Sequence, residues 1–219
     1  MEADKINVKT FCIAVAAVVL VEACARAASI MAAVHPLTAT GVARCIEIGL
    51  LAAIVIQFGN GMSSIGLGRR EIIPGIAKGL VWSFGFGIVV VFLGLILAGF
   101  DSDPLRLIAT RLPGARETRI VFVLVGALIA PVAEEIFFRG ILYGFFRRWG
   151  AAAAITLSTL LFTLAHPPGA GIPFTQMTGG ILFAAAYEAE GKLMAPIILH
   201  VLGNAAIFTV SMVMSGLPS

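Results

Sequence analysis

Three short patterns in this chain put polar groups where hydropathy alone forbids them. Within Pro131-Val-Ala-Glu-Glu-Ile-Phe-Phe-Arg139, two adjacent carboxylates and an arginine interrupt an apolar run. His166 follows Phe162 by four residues at the end of a second apolar run, and His200 and Asn204 stand four apart in a third. Successive helical residues turn by about 100°, so Glu134 and Glu135 point to different places, whereas residues four apart share a face. Spacing therefore pairs Arg139 with Glu135, leaves Glu134 free, and turns His200 and Asn204 the same way. The set holds what hydrolysis needs. A carboxylate in a low-dielectric site can act as general base on a water. A neighbouring imidazole can hold that water or shuttle its proton, and a His/Asn pair can donate hydrogen bonds to a developing oxyanion. No serine or cysteine nucleophile is required.

The elements that must carry these groups are apolar helices. Apolar segments run over about 11–34, 41–58, 75–100, 120–149, 151–165, 174–187 and 193–214. The fourth would be about 45 Å long as a continuous helix, more than the roughly 30 Å hydrocarbon core, so it must tilt, kink near Pro131 or protrude. Pro167-Pro168-Gly169 stops the fifth helix directly after His166. Between the third and fourth runs, residues 101–117 mix Leu105, Leu107, Ile108 and Leu112 with Arg106, Arg111 and Arg116, a pattern that suits a short helix lying on the headgroups. Glu22 with Arg26, and Arg44 with Glu47, form opposite-charge pairs at helical spacing. Gly75/Gly79 and Gly140/Gly144 are spaced for close helix packing. Measured along ideal helices from the end carrying Arg147, Arg148 and Lys192, Glu134 lies about 20 Å in, His200 about 12 Å, Asn204 about 18 Å and His166 about 25 Å. Ordinary tilts of about 20° bring all four toward one buried layer.

Composition fixes the class. Of 219 residues, 59% are hydrophobic and 12% charged, with mean hydropathy +1.02, about half the charge of an ordinary soluble domain. The reading is an all-α, polytopic transmembrane helix bundle of about seven to eight spans. It forms a single integral membrane domain over 1–219, with N-terminal spans and the interfacial segment in 1–117 and a catalytic core in 118–219. It sits in the cell or inner membrane, or in the endoplasmic reticulum, according to source. The net charge of +3 is spread thinly, without the basic cluster of a nucleic-acid binder. Cys12, Cys24 and Cys45 lie in apolar segments and form no disulfide or metal pattern. The first apolar run is long and interrupted by Glu22 and Arg26, which reads as an uncleaved span rather than a secretory signal. Lysine and arginine positions place the N-terminus, Arg69/Arg70, Arg147/Arg148 and Lys192 on one side, cytoplasmic by the positive-inside rule. The arginines from Arg106 to Arg119 then fall on the other.

Other readings of the same residues stay open on sequence grounds. The carboxylates and arginine could be a structural ion pair with a spare, uncharged glutamic acid, and each histidine could be a helix-packing hydrogen bonder. Glu134, His166 and His200 could ligate zinc with an open position for water, although the chain lacks the H-E-x-x-H spacing. The layer could also move protons or ions, or belong to an immunity factor or scaffold without turnover.

The three patterns, in this order and on separate apolar helices, resemble the signature motifs of the CPBP intramembrane glutamic endopeptidases, which include type II CAAX prenyl endopeptidases and ABI-type membrane proteins. The resemblance covers Pro131 to Asn204; the loop Gly66-Leu67-Gly68-Arg69 is faintly reminiscent of one preceding the family's core. It implies a helical membrane fold with a conical cavity and a metal-independent, cofactor-free endopeptidase mechanism. Carried over by motif position, Glu134 is the general base, His166 assists it, His200 and Asn204 form the oxyanion hole, and Glu135 and Arg139 support the site. The implied partners are a lipid bilayer and a peptide or protein substrate, with prenylated CAAX-type termini, unprenylated leader peptides and membrane proteins all candidates.

Overall fold

The computed structural model describes residues 6–31, 34–100, 105, 108–166 and 173–215. Among these, seven helices follow one another: α1 (Val8–Met31), α2 (Pro36–Phe58), α3 (Ile72–Ala98), α4 (Arg116–Trp149), α5 (Ala151–Ala165), α6 (Phe174–Glu190) and α7 (Met194–Ser215). α1, α2, α3, α4 and α7 are long and apolar enough to cross a membrane. The chain is an integral multi-pass membrane protein. At 15 and 17 residues, α5 and α6 reach only about 22–26 Å, less than the hydrocarbon core. An eighth helix is not among those assigned over the described residues.

Local chemistry sets the boundaries. α2 opens on Pro36, whose missing N–H costs nothing in a first turn, and the His35 ring Nδ1 accepts the Leu37 N–H at 3.2 Å. Of the expected headgroup helix over 101–117, residues 101–104, 106 and 107 lie outside the described residues; Leu105 and Ile108 are helical, 109–115 is irregular, and Arg116 and Glu117 already begin α4. An acidic residue in a first turn complements the helix dipole, and Arg119 Nε donates to the Pro113 carbonyl at 2.6 Å. α4 runs unbroken for 34 residues, but its turns widen to π type over Val125–Ile129 and Ile136–Tyr143. A kink near Pro131 is one of the expected outcomes; the helix instead continues through it, with a wide turn on either side.

α4 is the central column. α2 packs along its Val125–Glu135 stretch, α5 along Ile136–Tyr143, and α7 along Val125–Glu135 from another side. Small residues allow these approaches: a Cβ on Gly79 would stand 2.6 Å from Ile198 Cβ, and one on Gly75 would stand 2.7 Å from Met194 Cβ, so α3 and α7 touch almost backbone to backbone. The far face of α3 presents Leu80, Val81, Phe84, Val91, Phe92 and Leu95 outward, as a lipid-facing helix does.

At one end of the bundle, the N-terminal segment is tied to later elements. Arg148 Nη2 donates to Ile6 O at 2.8 Å, and Asn7 Nδ2 and Thr10 Oγ1 donate to Phe58 O. At the same end Arg147 pairs with Glu188 at 2.9 Å and Lys78 with Glu190 at 3.3 Å. The loop before α3 is clasped under the α6–α7 turn. Gly66 holds φ +73°, Leu193 N–H donates to its carbonyl at 3.1 Å, and Tyr187 Oη donates to Ile65 O at 3.0 Å. A Cβ on Gly66 would fall 2.4 Å from Gly191 O, so glycine is required there for both its conformation and its size.

Candidate active site

The unusual polar residues converge between α4, α5 and α7. Glu134 is nearly enclosed, its carboxylate lying 3.7 Å from His166 Nε2 and 3.9 Å from His200 Nε2. Each imidazole is aimed by its other nitrogen. Phe162 contributes one of the last carbonyls of α5, which have no partner inside the helix; His166 Nδ1 donates to it at 2.8 Å, turning Nε2 toward Glu134. Pro167-Pro168-Gly169, expected to end this helix, lies outside the described residues. His200 Nδ1 stands 2.8 Å from Glu135 Oε1. A carboxylate oxygen paired with arginine accepts, so Nδ1 carries the proton there and Nε2 faces Glu134.

Glu135 and Arg139 meet at 3.2 Å and are both fully buried, the pairing that four-residue spacing predicts. Arg139 Nη2 also donates to Gly180 O at 3.1 Å, and its guanidinium lies 4.6 Å from the Phe162 ring centroid and 5.3 Å from that of Phe183. Phe183 stacks on His200 with centroids 4.3 Å apart. Glu135 thus links an aromatic-walled cation on one side to His200 on the other. Sequence spacing misses the Glu135–His200 bond and the aromatic walls, because these partners come from helices far apart in the chain.

Asn204 lies one turn beyond His200 on α7. Its Nδ2 donates to the Gly126 carbonyl of α4 at 2.8 Å, and no contact recorded among the described residues joins it to Glu134. A Cβ on Gly126 would stand 3.0 Å from the Phe208 ring, so α7 grips α4 there with Asn204 and Phe208, four residues apart.

On the α2 side of α4, Arg44 bridges Glu47 of its own helix and Glu22 of α1, the latter at 2.6 Å. The expected Arg44–Glu47 pair is present. The expected Glu22–Arg26 pair is not among the ion pairs of the described residues, because Arg44 reaches across to Glu22 instead. A cavity of about 360 Å³ lies beside this network between α1 and α2, with Glu22, Arg26, Ser29 and Thr40 on its walls. Among the described residues no group of three or more His, Cys, Asp or Glu side chains is gathered to hold a metal. Cys12, Cys24 and Cys45 are all free thiols.

Comparison with known proteins bears on the same segment. Residues 116–206 match the family described as type II CAAX prenyl endopeptidase Rce1-like. The chain is also 30% identical over 148 residues to the membrane-embedded CAAX protease MroQ of Staphylococcus aureus, a match that covers 62% of this chain and 57% of that protein's length. No solved structure matches.

Proposed function

We propose, from the similarity of residues 116–206 to the family described as type II CAAX prenyl endopeptidase Rce1-like, that the chain is an intramembrane endopeptidase that hydrolyses a peptide bond with a glutamate-activated water. The observation that carries this reading is the Glu134 carboxylate set between two imidazole Nε2 atoms at 3.7 and 3.9 Å. Glu134 takes a proton from a water that its carboxylate and His166 Nε2 hold, and the hydroxide attacks the scissile carbonyl. Oxyanion donation from His200 Nε2 requires that ring to carry both protons, and Glu135, 2.8 Å from Nδ1, balances that charge. Asn204 supplies the second oxyanion donor, and preorganised donors of this kind stabilise developing charge most effectively where water is excluded. Arg139 holds Glu135 in place. The proposed substrate is a peptide or protein segment reached from the bilayer, with CAAX-type C-terminal processing the first candidate because the matching family and the one relative reported are both described as CAAX proteases.

The test is cleavage of internally quenched peptides, prenylated and unprenylated, by detergent-purified protein, wild type beside Glu134→Gln, with and without chelator. Expected is chelator-resistant cleavage that falls at least 100-fold in the variant, the scale on which essential general bases act. Undiminished turnover by Glu134→Gln would remove the glutamate from the mechanism, and chelator-sensitive turnover would return the zinc alternative.

A further inference from the structure

The wide turn that precedes the catalytic glutamate has a chemical cause and a chemical product. Over Val125–Ile129 the helix is in π register, and the N–H of Ala130 donates to Val125 O, five residues back. In that register the next N–H, from residue 131, would fall to Gly126 O. Residue 131 is proline and has none. Gly126 O is therefore left without a backbone donor from its own helix, and a carbonyl without a partner in a membrane-spanning helix is costly. Asn204 Nδ2, from α7, donates to it at 2.8 Å.

We propose that Pro131 is a positioning residue for the site, withholding the one backbone N–H that would otherwise occupy Gly126 O and so reserving that carbonyl to orient the Asn204 amide. The bond decides which end of the carboxamide is nitrogen and fixes the direction of its second N–H. This inference rests on the reading of Asn204 as an oxyanion donor. Pro131 is fully buried and touches the reaction only through Gly126 and Asn204. π-type turns recur at functional sites, and here the wide turn prepares an acceptor for another helix.

Pro131→Ala restores an N–H at this position. It is expected to leave KM within about twofold while kcat falls about tenfold or more, since an oxyanion-hole donor is typically worth about 10²–10³ in kcat, and Pro131→Ser should behave alike. Asn204→Ala should lower kcat strongly in the wild type and add little in the Pro131→Ala background. A thermal-unfolding cycle gives a readout independent of turnover. Asn204→Ala strips Gly126 O of its donor in the wild type and so lowers Tm. In Pro131→Ala, where the new N–H takes that carbonyl, the same change should lower Tm by clearly less. Additive Tm losses, full kcat in Pro131→Ala, or failure of both residue-131 variants to fold would each overturn the proposal, because it requires that an N–H be accommodated there. Should Glu134→Gln remain active, the glutamate mechanism fails while the Tm cycle still judges this inference.

Discussion

Glu134 and Glu135 are neighbours in sequence, yet their surroundings give them different tasks. Glu134 faces two imidazoles at 3.7 and 3.9 Å, whereas Glu135 holds Arg139 and His200 on one oxygen, Oε1, its buried Oε2 having no hydrogen-bond partner among the described residues. Glu134→Gln keeps volume and hydrogen bonding and is expected to unfold at the wild-type temperature while losing turnover. Glu135→Ala or Arg139→Ala leaves an unpaired ion in a low-dielectric interior, at a cost of about 3–5 kcal/mol, and should lower Tm and expression. Equal thermal stability in all three variants would sink this division of labour. Spacing alone made the Glu135–Arg139 pair legible, because residues four apart on a helix meet. Nothing local could announce that Glu135 also holds a histidine 65 positions later, or that Phe183 stacks on that histidine. Asn204 was read from its spacing to His200, but its anchor, Gly126, is an ordinary backbone carbonyl to the sequence reader.

At the scale of elements, the apolar runs were visible because a bilayer demands long uncharged segments, and all seven helices stand over those runs. Helix register was not visible. Hydropathy reports which residues are apolar and is silent on whether a turn takes four or five residues, so only Pro131 hinted that α4 would not be regular. Pairing between α1 and α2 was half legible: Arg44–Glu47 follows from spacing, while Arg44–Glu22 depends on how the two helices dock. That docking gives a prediction. Arg44→Gln leaves Glu47, almost fully buried, and Glu22 facing each other without a cation. It should destabilise the α1–α2 hairpin by about 3 kcal/mol, measured as a Tm loss. Adding Glu22→Gln and Glu47→Gln should recover most of that loss; a triple variant as unstable as the single one would mean that packing, not charge, is what Arg44 supplies.

For the whole molecule, lysine and arginine placement groups the N-terminus, Arg69/Arg70, Arg147/Arg148 and Lys192 on one side and sets the arginines from Arg106 to Arg119 on the other, so the sequence leaves membrane orientation open. The contacts put the N-terminal segment, Phe58, the Gly66 loop, Arg147, Arg148 and Lys192 at one end. In a background lacking Cys12, Cys24 and Cys45, Gly114→Cys should react with an impermeant maleimide on intact cells, and Asn60→Cys only after permeabilisation. The reverse labelling would invert the orientation. The Rce1-like match begins at residue 116, yet α2 packs directly on α4, so the uncovered half shapes the candidate site from behind.

The clasp of the Gly66 loop beneath the α6–α7 turn bears on how the protein is made. The Leu193 N–H and the Tyr187 hydroxyl that seal it leave the ribosome long after Gly66 does, with α3, α4 and α5 made before Tyr187 and all of α6 before Leu193. During synthesis the first three helices must therefore wait in the bilayer with an unlatched loop, and the last hairpin to arrive is the one that locks them. A ribosome stalled before Tyr187 would hold a protein whose front half is inserted and unfastened, which makes that interval the natural moment for membrane quality control to act.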